Sequence, residues 1–394
     1  MDKQKENLFL LVKSAIDGVE YRIEQEDLID VYKYAIGQGI VSLVYAGAFN
    51  CGLHLNGESE TKIFEKVCLE TLASEKQLYE LNEIERKFQA NRIDYMPLKG
   101  ARLKNLYPKP EYRTMSDIDI LVKIEQYPQI ESIMYSLGYE FHTESDHEYI
   151  WNKGNINVEL HKRIIPSYNE DYYEYFKEGW DFAKKVTDNA FKYEMSIEDE
   201  FIFIFAHLCK HYRDSGIGIR HLIDIWVYLK KYPTMNAEYV KEIMTKLKIY
   251  VFYLNVLKTL NVWFNGEKED EITQYITDFA FGVRDVTREE AQVLSDALKK
   301  TKKGKTLKQI KRDKIKNSIF IPYKTMCTLY PFLIKAKILT PFVWVYHVIK
   351  RLFTKGRLKK YNQQFTTINE NSVDEYKRSL NFVGLDYNFE KDEK

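Results

Sequence analysis

Cysteine is scarce. Cys51, Cys68, Cys209 and Cys327 lie far apart and form no Cys-x-x-Cys pair. That argues against a zinc ribbon or a disulfide scaffold and fits a reducing cytoplasm. An excess of either charge is also missing: 59 Lys and Arg stand against 58 Asp and Glu, for a net charge of +1. Overall charge therefore gives no sign of a nucleic-acid partner. No long hydrophobic run exists. In the aromatic-rich tail the longest uncharged stretch, Ile338 to Ile349, contains Pro341 and is too short to span a bilayer. Near the start, Met1 to Lys13 holds one short apolar run, Leu8 to Val12, with acids nearby. No signal peptide is expected from it, and the expected location is cytoplasmic. Alanine is sparse beside abundant tyrosine and lysine, a bias of AT-rich coding that explains many aromatics without a functional reading.

What is present is core-forming material and one acidic strand. The chain has 394 residues, 45% of them hydrophobic, enough for two or three domains with real cores. In the run Asp117-Ile-Asp119-Ile-Leu-Val122, the isoleucines and Val122 share one phase, and Asp117, Asp119 and Leu121 share the other. A strand has a side-chain period of two, so the spacing predicts both aspartates on one face. Two like charges at that distance repel, and a divalent cation between them relieves the repulsion. The plainer reading is a solvated strand edge. Upstream, Leu98-Lys99-Gly100 falls between a predicted strand, Ile93–Leu98, and a predicted short helix, Ala101–Leu106. A glycine at such a junction lets backbone N–H groups approach an anion, or it simply punctuates a turn. Lys99 and Arg113 add positive charge beside the acids. Downstream, Asn157-Val-Glu159-Leu-His161 reads as a strand with Asn157, Glu159 and His161 on one face, supplying a third carboxylate. Anion cradle, paired aspartates and a third acid together point to magnesium-assisted phosphoryl or nucleotidyl transfer.

These residues carry a family resemblance. Leu98-Lys99-Gly100, a helix ending near Tyr107, Arg113 and Ser-Asp117-Ile-Asp119-Ile-Leu-Val resemble the uncharacterised bacterial nucleotidyltransferase family of the DNA polymerase beta-like superfamily. The similarity continues through Val158-Glu159-Leu160-His161, His207-Leu-Cys-Lys-His211 and Arg220-His-Leu-Ile-Asp224. The resemblance implies that Asp117 and Asp119 bind the metal and that Glu159 takes the place of the third acid, which helps deprotonate the incoming hydroxyl. It places Gly100 at the phosphate-cradling glycine. It also implies that the helix carrying His207 and His211 leans over the active site. One departure is Ala101, where the superfamily has a second small Gly or Ser; another is the long gap from Gly100 to Asp117. Lys99, Gly100, Arg113, His161, His207, His211 and Arg220 are the candidate nucleotide contacts. The implied cofactor is Mg2+, with a nucleoside triphosphate (ATP by default) as co-substrate.

Plainer roles stand beside these. His161 also reads as a strand histidine packed on its neighbours. His207 and His211, at i and i+4, share a helix face and fit a polar interface; a zinc site there lacks a third ligand. Arg220 and Asp224 are also at i and i+4, the spacing of a helix ion pair, with a supporting role near the phosphates as the sharper reading.

The expected fold class is α+β: a small mixed β-sheet nucleotidyltransferase core flanked by N-terminal and C-terminal helical regions. The expected division is a helical region over 1–90, the core over 91–190, a helical domain over 191–300 and a basic, aromatic-rich tail over 301–394. Apolar spacing predicts helices over Val31–Ala48 and Glu60–Gln89. Within the core it predicts strands over Asp117–Val122, Tyr139–Thr143, Glu148–Asn152 and Ile156–Ile164, and a helix over Ile124–Leu137 stopped by Gly138. Ser196 with the acids after it predicts the start of a helix running Glu200–Tyr212, and more helices follow over 237–300.

In the tail, Lys299 to Lys316 holds ten Lys or Arg and one acid, Asp313. An aromatic segment, Ile319 to Phe353, follows it. One reading is a solvated loop and a buried helix pair. A second is peripheral contact with an anionic membrane through 299–353, at the inner face of the cell membrane. A third is RNA or another polyanion. The final stretch, Asn369 to Lys394, is polar and is expected to fray. The leading functional expectation is transfer of a nucleoside monophosphate to an acceptor hydroxyl on a small molecule, RNA or protein. The alternative is a non-catalytic nucleotide-binding or membrane-surface scaffold that retains the fold.

Overall fold

The computed structural model describes residues 1–24, 27–188, 190–282, 288–319, 321, 323–353 and 366–387. Predicted features that fall on 283–287, 320, 322, 354–365 and 388–394 lie outside the described residues. The chain forms two compact units: Met1–Lys210 with Ile217–Val283 and Val383–Leu385, and His211–Gly216 with Arg284–Phe382 and Asp386–Lys394.

The first unit opens with helices α1 (Lys3–Asp17), α2 (Leu28–Gln38), α3 (Val41–Asn50) and α4 (Glu58–Ala90). Where apolar spacing predicts one helix over Val31–Ala48, the chain makes two, because Gly39 takes the left-handed conformation (φ 66°) and closes α2. The core then runs β1 (Tyr95–Pro97), α5 (Lys99–Leu103), β2 (Ile118–Val122), α6 (Tyr127–Ser136), β3 (Glu140–Glu144), β4 (Glu148–Lys153) and β5 (Ile156–His161). The five strands form one mixed sheet in the order β1-β2-β5-β4-β3. β2 and β5 are parallel, and the other pairs are antiparallel. The architecture is α+β with a small mixed sheet, as the sequence pattern predicts. The unit continues through α7 (Glu170–Phe176), the short ribbon β6 (Lys184–Lys185) and β7 (Tyr193–Glu194), then α8 (Ile197–Asp214) as far as Lys210, α9 (Ile219–Lys231), α10 (Ala237–Lys246), α11 (Tyr250–Asn265) and α12 (Glu271–Phe281). Ser196 Oγ accepts the Asp199 N–H at 3.1 Å, the cap its position predicts for α8.

Strand alternation separates the two faces of the sheet. Ile118, Ile120 and Val122 of β2, Val158 and Leu160 of β5, and Trp151 of β4 are buried against Leu81, Ile84 and Phe88 of α4 and Ile130, Ile133 and Met134 of α6. Asp119, Leu121, Glu159 and His161 alternate with those residues and so take the opposite face. Asp117 falls one residue ahead of β2, in a bend, because the ladder with β5 begins at Ile118.

The loop that delivers Asp117 is pinned from four sides. Gln77 of α4 donates to Met115 O at 2.8 Å, and Lys104 donates to Arg113 O at 2.8 Å. Thr114 Oγ1 donates to Gly39 O at 2.7 Å. Arg113 makes a two-pronged contact with Asp224 of α9, Nε at 3.1 Å and Nη2 at 3.0 Å. Tyr107 donates to the same carboxylate at 2.8 Å. The pair is almost wholly buried, with 9% and 4% of the two side chains exposed. Breaking one side of such a pair strands a buried charge and costs about 3–5 kcal/mol.

The second unit contains α13 (Arg288–Lys302), α14 (Leu307–Ile319), α15 (Tyr323–Leu329), α16 (Thr340–Phe353) and α17 (Glu370–Phe382). The expectation of a frayed terminus is corrected for Glu370–Phe382. Val373, Tyr376 and Leu380 bury one side of α17, and apolar burial at that spacing holds a polar sequence in a helix.

Asp224→Ala is expected to destabilise the protein by about 3–5 kcal/mol in urea unfolding followed by tryptophan fluorescence, and Asp224→Asn by clearly less. Equal, small losses for both variants would show that Arg113 does not depend on this carboxylate.

Candidate active site

Register brings the acids together. Asp119 lies directly opposite Glu159 on the parallel strands β2 and β5, and Leu121 lies opposite His161. His161 Nε2 donates to Asp119 Oδ1 at 2.8 Å and stands 3.6 Å from Glu159 Oε2. One ligand atom each from Asp119, Glu159 and His161 lies within 4.8 Å of the others. Lys99 Nζ reaches the same Asp119 oxygen at 2.8 Å. Lys99 sits where β1 ends and α5 begins, in the left-handed region (φ 44°). A non-glycine residue there is strained, a feature that collects at functional sites.

Electrostatics divides the two aspartates. Burial, followed by the charges of Asp119 and Glu159, pushes the Asp117 carboxyl up to about 7. Burial works in the same direction on Asp119, but the Lys99 charge and the His161 hydrogen bond override it and hold that carboxyl well below the usual range. His161 is raised: burial and Lys99 oppose its protonation, and the hydrogen bonds to Asp119 and Glu159 outweigh them. Lys99 is likewise raised by Asp119, Glu159 and Asp117 against its burial. The cluster is thus three carboxylates facing one ammonium and one imidazole.

The other candidate residues take different places. Gly100 is buried with Arg113 against it; a Cβ there would meet Arg113 Nη1 at 2.7 Å and the Met115 side chain at 2.9 Å. Arg113 is committed to Asp224, and Arg220 donates to Thr114 O and Oγ1 at 2.9 and 2.8 Å. The i, i+4 pair of Arg220 and Asp224 read from sequence is therefore replaced by a longer-range one. Both arginines belong to the loop anchor around residue 114. His207 packs beside Phe203 with ring centres 6.2 Å apart, and His211 shares a 3.1 Å hydrogen bond with Ser215. Neither belongs to the ligand cluster found among the described residues.

Sequence reading missed Glu148 and Tyr107. Glu148 pairs across the sheet with His161 and is hydrogen-bonded to His147. Against its burial, the histidines bring its carboxyl down to about 2. The strand containing it was legible, but the register that sets it beside His161 was not.

A family profile described as "Uncharacterised nucleotidyltransferase" matches residues 24–265, which include every one of these candidate residues. The chain belongs to that family. No curated protein matches it. Among solved structures, the antibiotic-resistance factor ANT(2'')-Ia aligns with a TM-score of 0.33 and 12% identity, over 48% of this chain and 98% of that one. So low a score adds nothing to the reading of this nucleotidyltransferase, whose membership rests on the profile.

Two of the shifts have a consequence for stability. A carboxyl raised to about 7 favours the native state less and less as pH climbs from about 4 to 7. A raised imidazole contributes its stability below about 6.5 and loses it as pH rises through its folded value. In chelator, the melting temperature is expected to fall between pH 5 and pH 8, and Asp117→Asn should remove part of that fall. A variant whose melting curve tracks the wild type at every pH would remove Asp117 from the cluster's electrostatics.

Proposed function

We propose that this nucleotidyltransferase moves a nucleoside monophosphate from a nucleoside triphosphate to an acceptor hydroxyl, with magnesium as cofactor. The observation that carries the reading is the Asp119–Glu159 pair across β2 and β5, with Lys99 and His161 on the same Asp119 oxygen. The donor set fits a divalent cation: carboxylate oxygens of Asp117, Asp119 and Glu159 would hold it. Among the described residues the buried Nδ1 of His161 has no hydrogen-bond partner, while its Nε2 faces the two carboxylates. When bound, such an ion neutralises charge on the phosphoryl oxygens and on the leaving pyrophosphate.

The protein's own groups supply the rest. Lys99 keeps a positive charge beside the carboxylates and draws the triphosphate towards them. His161 acts as a positioning residue, holding the Asp119 carboxylate in one orientation. Glu159 retains some exposure, 17% of its side chain, and accepts the proton of the acceptor hydroxyl. The acceptor oxygen then forms a bond to the α-phosphorus. The α–β anhydride bond breaks, and pyrophosphate leaves with the electron pair.

Calorimetry with non-hydrolysable ATP, CTP, GTP and UTP analogues, with and without magnesium, tests the reading. We expect magnesium-dependent binding of at least one nucleotide, weakened in Asp119→Ala and in Glu159→Gln. Pyrophosphate release should fall by about a hundredfold or more in either variant. A well-folded Asp119→Ala protein with wild-type turnover would sink the mechanism. Magnesium-dependent binding with no release from any acceptor pool would favour the nucleotide-binding scaffold.

A further inference from the structure

The basic and aromatic part of the second unit carries an exposed apolar surface of its own. From Lys314 to Asn369 the chain has eleven Lys or Arg and no Asp or Glu, although the whole protein is balanced at 59 to 58. Within this span Ile321, Met326, Leu333 and Val343 form a small core of their own. Tyr323 OH donates to Leu333 O at 2.8 Å, and Trp344 Nε1 donates to Ile321 O at 2.9 Å. The segment is therefore a built element with an inside and an outside.

Its outside is apolar. Ile338 is 85% exposed, Phe342 73%, Ile334 70% and Val345 61%. On α16, Phe342, Val345, Tyr346 and Ile349 are all exposed and follow i, i+3, i+4, i+7 spacing, the stripe that normally faces a core. Here the buried contact is made by Val343, with Trp344 partly buried beside it, so the exposed stripe is a second apolar face. Exposed Lys335, Lys337 and Lys350 border it. Lys337 lies over the Tyr323 ring and Lys350 over the Tyr346 ring, at 5.3 and 6.0 Å.

Charge complementarity decides what such a face would meet. A second copy would set one acid-free basic rim against another, and the repulsion opposes that contact. An anionic lipid surface offers the opposite: acyl boundary for the isoleucines and phenylalanine, phosphate for the lysines, and the headgroup level for tyrosine. Among the described residues no helix is long and apolar enough to cross a membrane, so the geometry is that of a helix lying in the interface. We propose that residues 331–350 form a docking face for an anionic bilayer surface, entered by Ile334, Ile338, Phe342 and Val345. The proposal does not rest on the transfer reaction.

The test is co-sedimentation of the full-length protein with phosphatidylcholine vesicles, with and without phosphatidylglycerol, at low and high salt. Binding is expected with phosphatidylglycerol and should weaken as salt rises. Lys335→Glu with Lys337→Glu should lower the affinity by about tenfold or more. Ile338→Asp with Phe342→Asp should abolish it, with circular dichroism confirming that both variants fold. No association with anionic vesicles, or equal association with neutral ones, would overturn the proposal. So would a concentration-dependent dimer in light scattering that Ile338→Asp with Phe342→Asp disperses, since that result assigns the face to a second copy.

Discussion

Mutual repulsion among Asp117, Asp119 and Glu159 is the constraint that organises the first unit. Asp119 and Glu159 share one side of a sheet whose other side is closed by α4 and α6, and Asp117, just ahead of β2, feels both charges. Such a cluster holds only if something positive is built into it. Lys99 and His161 both reach one oxygen of Asp119, and this leaves the remaining repulsion concentrated on Asp117. The strain at Lys99 is consistent with that demand, since its backbone takes an unfavourable conformation while its ammonium lies against Asp119.

The same constraint explains the elaborate support under an irregular loop. Asp117 has no strand hydrogen bonds to fix it, so its position comes from the residues just before it. Arg113, Thr114 and Met115 are tied to α9, to Gly39 after α2, and to α4. The buried Arg113–Asp224 pair contributes less as net stability than as geometry, because desolvation offsets most of its Coulomb attraction. Gly100 fits this picture as a packing position: its missing side chain leaves room for the Arg113 guanidinium.

The elements governed by local pattern were legible in the sequence. The two-residue period of β2 is visible as Ile118, Ile120 and Val122 against Asp119 and Leu121, and the structure segregates those phases onto two faces. Gly138, in the left-handed region, follows the predicted core helix, and Ser196 begins α8. What escaped depended on distant partners. Arg220 and Asp224 have the spacing of a helix pair, yet Asp224 is claimed by Arg113, more than a hundred residues away in sequence (|i−j| = 111). Glu148 reads as an ordinary strand terminus until register sets it opposite His161. The break between α2 and α3 was hidden because apolar spacing runs through Gly39 almost undisturbed.

The parallel pairing of β2 with β5 has a kinetic side. Asp119 and His161 are 42 residues apart in sequence, and their strands meet only after α6 and the β3–β4 hairpin have been routed around. Closing that loop costs chain entropy, and the like charges meet at the same step. Pairing the central ladder therefore works against chain entropy and like-charge repulsion together. Softening those charges would be felt as faster closure of the central ladder as well as in the stability of the folded protein.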